Sequence, residues 1–193
     1  MVELLSISWL EAVAALLGIL YIYAVSQEWP IAWPAAFVST AIYTYVFWDF
    51  TLWYSAGLNV YYMGMAVYGY WQWTYGNKVQ IGDISSRSSQ WHVTYVVTGL
   101  AIVCILVFWS EQDWLDWATL DALIMVFSVM TTVLVAHKYL SNWVYWMMIN
   151  TLAMLLYWQH ALWFTVGLYF VYLVFSVFGW RQWRKRALTF YVK

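Results

Sequence analysis

Residues 52–73 read LWYSAGLNVYYMGMAVYGYWQW, and 110 positions later residues 162–183 read LWFTVGLYFVYLVFSVFGWRQW. The two stretches share Leu-Trp at the start, Gly-Leu five residues on, Tyr62/Tyr172, Gly69/Gly179 and a closing Gln-Trp. At the same offset and without a gap, residues 11–73 match residues 121–183 at 13 of 63 positions, Trp33/Trp143 and Trp48/Trp158 among them. Tryptophan and leucine are common enough here to match by chance. Chance scatters its hits, however, and does not keep shared glycines and a Gln-Trp pair in one register. The chain is read as two copies of one unit.

Composition says what the unit is made of. Of 193 residues, 65% are hydrophobic, 23% aromatic and 9% charged, where a soluble domain carries roughly 25% charged residues. A monomer of this size cannot hide so much apolar surface in one core, so the surplus must face lipid. A span takes about 20 mostly apolar residues. Seven can be placed, near 8–26, 31–48, 54–74, 92–110, 117–137, 141–158 and 161–180. No basic segment precedes the first apolar run, so no cleavable signal peptide is expected. A net charge of −1 argues against a nucleic-acid partner. The single Cys104 excludes an intrachain disulfide, and the scattered His92, His137 and His160 give no metal-ligand pattern.

Three spans, one linker span and three more leave both triplets pointing the same way, as in a parallel repeat about an axis along the membrane normal. The expected fold is an all-α integral membrane protein with seven transmembrane helices in a 3+1+3 parallel-repeat arrangement. The first repeat covers 8–74, a cytoplasmic loop and linker helix 75–116, the second repeat 117–183, and a basic cytoplasmic tail 184–193. With the N-terminus outside and the C-terminus cytoplasmic, all eight basic residues (Lys78, Arg87, Lys138, Arg181, Arg184, Lys185, Arg186 and Lys193) fall inside. That is the arrangement the positive-inside rule asks for. Glu3, Asp49, Glu111, Asp113 and Asp116 then fall outside. Sites in repeat-built transporters lie near mid-membrane at the repeat interface, so this architecture favours a transporter over an enzyme or a receptor.

The polar residues inside the spans mark the candidate site. Trp143, Trp146 and Asn150 share one helix face in span 6. Asn150 lies roughly 12 Å deep at 1.5 Å per residue, where an unsatisfied amide costs several kcal/mol. An interhelical hydrogen bond would satisfy it. So would a flat heteroaromatic ligand held between the tryptophans. In span 3, Asn59, Tyr62 and Ala66 form a second stripe, whose partners at the 110-residue offset are Tyr169, Tyr172 and Ser176. Span 2 adds Ser39, Thr40 and Tyr43, with Thr40 the partner of Asn150. Taken singly, each tyrosine or threonine reads equally as packing or lipid contact.

Charges sit only near the span ends. Glu11 and Asp121 are partners at the outer ends of spans 1 and 5, and Glu28 and Lys138 at the inner ends of the same spans. Interfacial solvation accounts for them; a Glu28–Lys138 latch on an inner gate is the sharper reading. No phosphate-binding glycine loop, nucleophile motif or ion-filter loop occurs. No carboxylate falls at mid-membrane, which favours facilitated diffusion over proton coupling.

The run from Leu120-Asp121 through Lys138–Trp146 to Asn150, with its W-x-x-W-x-x-x-N spacing, resembles the Pnu (PnuC-type) family of bacterial vitamin transporters. Val67–Trp73 resembles the family's motif ending span 3, and Gly179–Trp183 its echo. The resemblance covers about residues 9–186. It implies uptake of a small water-soluble vitamin across the inner membrane by facilitated diffusion, with no cofactor in the protein. A cytosolic vitamin kinase would trap the substrate, and the assembly would be a homotrimer. It carries over Trp143, Trp146 and Asn150 as ligand-contacting positions. Members that take nicotinamide riboside carry Gln where this chain has Asn59 and Asn where it has Ala66. The wording Leu58–Met63 and Trp71-Gln72-Trp73 resembles the branch that takes thiamine, so thiamine is the expected substrate and nicotinamide riboside the alternative. Both are aromatic cations suited to aromatic faces.

Overall fold

The computed structural model describes residues 2–49, 53–77, 80–109, 117–161 and 163–192. Lys78, Glu111, Asp113, Asp116 and Lys193, used above to orient the chain, lie outside the described residues, as do the side chains of Glu3 and Glu11. Within the described residues seven helices follow in order: α1 Val2–Ser26, α2 Ala32–Asp49, α3 Trp53–Tyr75, α4 Ser89–Trp109, α5 Trp117–Ala136, α6 Asn142–Gln159 and α7 Trp163–Val192. Each covers one expected span. The largest departure is α7, which runs to Val192 and so carries Arg184, Lys185 and Arg186 on the same helix.

By length and apolar content alone, α4 and α5 are fit to cross a membrane. The sequence α2, α3 and α6 contains no Lys, Arg or Glu, but their many Trp and Tyr residues carry N–H and O–H groups that lower the mean hydropathy. The helices are apolar in ring area and amphipathic at the ring tips. Along α4, Val93, Val97, Leu100, Ile105 and Phe108 are all exposed, an apolar stripe of the kind that marks a membrane or protein contact.

The helices fall into two compact units, Met1–Gly82 and Asp83–Lys193. In the first, α2 packs against both α1 and α3; in the second, α4 packs on α5, α5 on α6 and α6 on α7. Each unit is tied by a tryptophan pair. Trp33 of α2 and Trp73 of α3 meet edge to face, with ring centroids 5.4 Å apart at 89°. Trp143 of α6 and Trp183 of α7 do the same at 5.4 Å and 90°. The shared Gly-x-x-Gln-Trp explains how. Glycine lies one helical turn before the second tryptophan, and a Cβ on Gly69 or Gly179 would stand 2.4 Å from the ring of Trp33 or Trp143. Only glycine lets the indole lie flat against the helix backbone there.

The turns between α1 and α2 and between α5 and α6 are built alike. Glu28 and Lys138 have φ of 58° and 52°. Each follows a helix end, donating its N–H to Val25 O at 2.9 Å or to Val135 O at 3.0 Å. The next residues, Trp29 and Tyr139, reach back to Ala24 O at 2.9 Å and Leu134 O at 3.0 Å. This is a Schellman helix stop, which ordinarily selects glycine at the left-handed position. Here two long charged residues occupy it, both buried. The Glu28 carboxylate accepts the Gly82 N–H at 3.0–3.1 Å, in the segment that leaves α3. In the second unit Ser85 bridges to the turn, donating its N–H to Lys138 O at 3.2 Å and accepting the Leu140 N–H at 3.0 Å.

Glu28→Ala removes a charge-assisted bond and keeps the strained backbone, and it is expected to cost about 2 kcal/mol. Glu28→Gly loses the same bond but relieves the left-handed strain, and it should recover about 1 kcal/mol of that loss. Thermal unfolding in detergent should therefore rank wild type above Glu28→Gly and Glu28→Gly above Glu28→Ala.

Candidate functional site

The most specific polar arrangement lies between α6 and α7. Asn150 is buried, and its Nδ2 donates to Ser176 Oγ at 3.2 Å. Ser176, fully buried on α7, spends its own proton on Tyr172 O one turn earlier, at 2.8 Å. The hydroxyl is thereby committed to accept from Asn150, which fixes the orientation of the carboxamide. Asn150 makes no other side-chain hydrogen bond among the described residues, so its oxygen and second N–H stay available. The serine that was only the repeat partner of Ala66 turns out to be the residue that orients the amide.

Aromatic rings lie on the same two helices. Tyr169 of α7 stacks on Tyr157 of α6 at 5.3 Å and 22°, and meets Tyr172 edge-on at 5.9 Å. Trp146 is half-buried and packs against the cluster formed by Tyr95, Ile124, Phe127, Leu134, Ile149, Ala153 and Leu156. Trp143 is turned toward α7, where it is buried against Gly179 and Trp183 with its Nε1–H unpartnered. Trp143 and Asn150 thus both meet α7, and Trp146 packs on the buried cluster shared by α4, α5 and α6.

Helix α4 contributes polar contacts to α5 and α6. His92 Nδ1 of α4 lies 2.9 Å from the Tyr145 hydroxyl of α6. Tyr95 of α4 sits 4.6 Å from the Tyr145 ring and shares a 2.9 Å hydrogen bond with Thr131 of α5. At the same end Arg87 lies over the Tyr139 ring at 4.4 Å, and hydrogen-bonds its hydroxyl. Sequence reasoning missed His92, Tyr95, Thr131 and Tyr145. Their only signal was a histidine and a tyrosine one turn apart at the start of span 4.

The first unit places its stripe differently. Thr40 Oγ1 donates within its own helix to Ala36 O at 2.8 Å, and Tyr43 stacks on Phe47 at 5.6 Å. Ser39 crosses to α1 and donates to Ala14 O at 2.8 Å. Tyr62 meets Tyr61 at 5.5 Å, Ala66 is buried and Asn59 is half-buried. Glu28 and Lys138, read from the sequence as interfacial charges or, more sharply, as a gate latch, each occupy the helix stop of their own unit.

A family profile described as "Nicotinamide mononucleotide transporter" matches residues 8–185. The nicotinamide riboside transporter PnuC of Neisseria mucosa is 27% identical over 194 residues, covering 92% of this chain and 73% of that protein. The riboflavin/roseoflavin transporter RibM of Streptomyces davaonensis is 24% identical over 188 residues, covering 94% and 87%. A crystal structure of the vitamin B3 transporter PnuC aligns at a TM-score of 0.73 and 25% identity, covering 94% of this chain and 83% of that one.

Proposed function

Because the chain belongs to the nicotinamide mononucleotide transporter family, a family of multi-pass membrane transporters and not of enzymes, we propose that it carries nicotinamide riboside across the bacterial inner membrane by facilitated diffusion. The observation that carries the choice is Asn150. A carboxamide held by Ser176, with its oxygen and one N–H uncommitted, matches the donors and acceptor of a nicotinamide carboxamide. Tyr169, Tyr172 and Trp146 supply ring faces for the positively charged pyridinium.

The expectation of thiamine gives way here. It rested on Asn59 and Ala66 and on the wording of residues 58–63 and 71–73, whereas the relatives described above carry nicotinamide riboside or riboflavin in their names. Riboflavin is the second reading, favoured by RibM over nearly the same length of chain. In our reading residues 8–74 and 117–183 are the two three-helix repeats of a 3+1+3 arrangement, linked through α4, with the C-terminus cytoplasmic. The matched helix stops and tryptophan pairs at one offset support the repeat, and the basic residues support the orientation. The homotrimer and the cytosolic kinase rest on the family resemblance.

Titration of the purified chain with nicotinamide riboside, riboflavin and thiamine, followed by quenching of its 17 tryptophans, tests the substrate. Nicotinamide riboside should bind well below about 1 mM, and the other two more weakly. Tighter binding of riboflavin or thiamine would reassign the substrate within the same family.

A further inference from the structure

We infer that the last turns of α7 form a binding face for anionic phospholipid. The 30 residues of α7 make a helix about 45 Å long at 1.5 Å per residue, against about 30 Å of hydrocarbon. Its start is marked by Trp163, exposed and edge-to-face with the equally exposed Trp158 at 4.8 Å, as tryptophans sit at a membrane interface. Counting about 20 residues from there reaches position 183. Arg181, Arg184 and Lys185 therefore stand at the far headgroup level.

Those three residues and Leu188 follow i, i+3, i+4, i+7 spacing, share one face, and are all exposed. The opposite face is the one that buries Trp183 against Trp143. Arg184 lies over the Trp180 ring at 5.1 Å. A cationic face with one aliphatic residue and an aromatic neighbour is the composition of an interfacial helix. The cations are not demanded by the packing of the unit, because the same positions in the first unit are Trp71, Thr74 and Tyr75. No Asp or Glu follows Asp121 in the sequence, and Arg181, Arg184 and Lys185 form no side-chain hydrogen bond or ion pair among the described residues. The charge is matched by the headgroup phosphates of an anionic lipid. This reading is independent of the vitamin carried.

The test uses the full chain in neutral detergent, titrated with dioleoylphosphatidylglycerol or dioleoylphosphatidylcholine and followed by unfolding temperature. Phosphatidylglycerol should raise the midpoint and phosphatidylcholine should not. The R181Q/R184Q/K185Q triple variant should lose apparent affinity for phosphatidylglycerol by on the order of a hundredfold, while its midpoint in phosphatidylcholine matches the wild type. R181K/R184K, which keeps the charge, should respond as the wild type does and controls for a folding defect. Equal responses to the two lipids, or an undiminished response in the triple variant, would overturn the inference. So would reproduction of the shift by inorganic phosphate alone, which would mark the face as a free-anion site.

Discussion

Asn150→Leu is expected to weaken nicotinamide riboside binding by at least about a hundredfold while leaving the protein folded. The substitution removes an acceptor and a donor that the bound carboxamide would need, leaving ligand groups buried without partners at about 1–3 kcal/mol each. The structural cost is smaller. Only the Asn150–Ser176 bond is lost, and such interhelical bonds in membranes are worth about 0.6 kcal/mol on average. Binding and unfolding temperature should therefore separate. A variant that binds normally would return Asn150 to the role of joining α6 to α7. Ser176→Ala gives the intermediate case, in which the amide survives but is free to turn, and a smaller loss of affinity is expected.

Trp143→Ala should do the reverse and strike the fold. The indole is buried against Gly179 and crosses Trp183, so truncation leaves a cavity costing about 3–5 kcal/mol. Gly179→Ala should destabilise the same contact from the other side, by about 1–3 kcal/mol, since its Cβ would stand 2.4 Å from the ring. Gly167→Ala is the control. Nothing lies within 4 Å of a Cβ there, and the exchange should be neutral or stabilise the helix by up to about 1 kcal/mol. Trp143→Phe keeps an aromatic ring, smaller than the indole, and removes the unpartnered Nε1–H. A folded Trp143→Phe that loses ligand would support a ligand role for Trp143, the position that the family resemblance carries over as ligand-contacting. Unfolding scans paired with titrations distinguish these outcomes.

Much of this architecture was legible because it is written in local, repeated chemistry. The Gly-x-x-Gln-Trp echo could be read from the sequence, and its cause is the space that Gly69 and Gly179 leave for Trp33 and Trp143. Glu28 and Lys138 were legible only as charges at span ends. A left-handed helix stop is ordinarily signalled by Gly or Asn, and neither is present, so the turn geometry stayed hidden. Helical spacing placed Trp143, Trp146 and Asn150 on one side of α6, but it does not say which neighbour lies opposite each. The pairing of His92 with Tyr145 and of Tyr95 with Thr131 joins residues 36–53 positions apart, and nothing local announces it. The substrate is the hardest to read. Asn59 and Ala66 depart from the nicotinamide riboside pattern, yet two substitutions on one stripe do not name a different vitamin.

Counterflow in proteoliposomes tests the central claim most directly. Vesicles loaded with unlabelled nicotinamide riboside, with no ion gradient, should accumulate labelled nicotinamide riboside transiently above its external concentration, and Asn150→Leu should abolish the overshoot. Absence of the overshoot in the wild-type protein, or its appearance only with riboflavin or only under a sodium or proton gradient, would contradict facilitated diffusion of nicotinamide riboside.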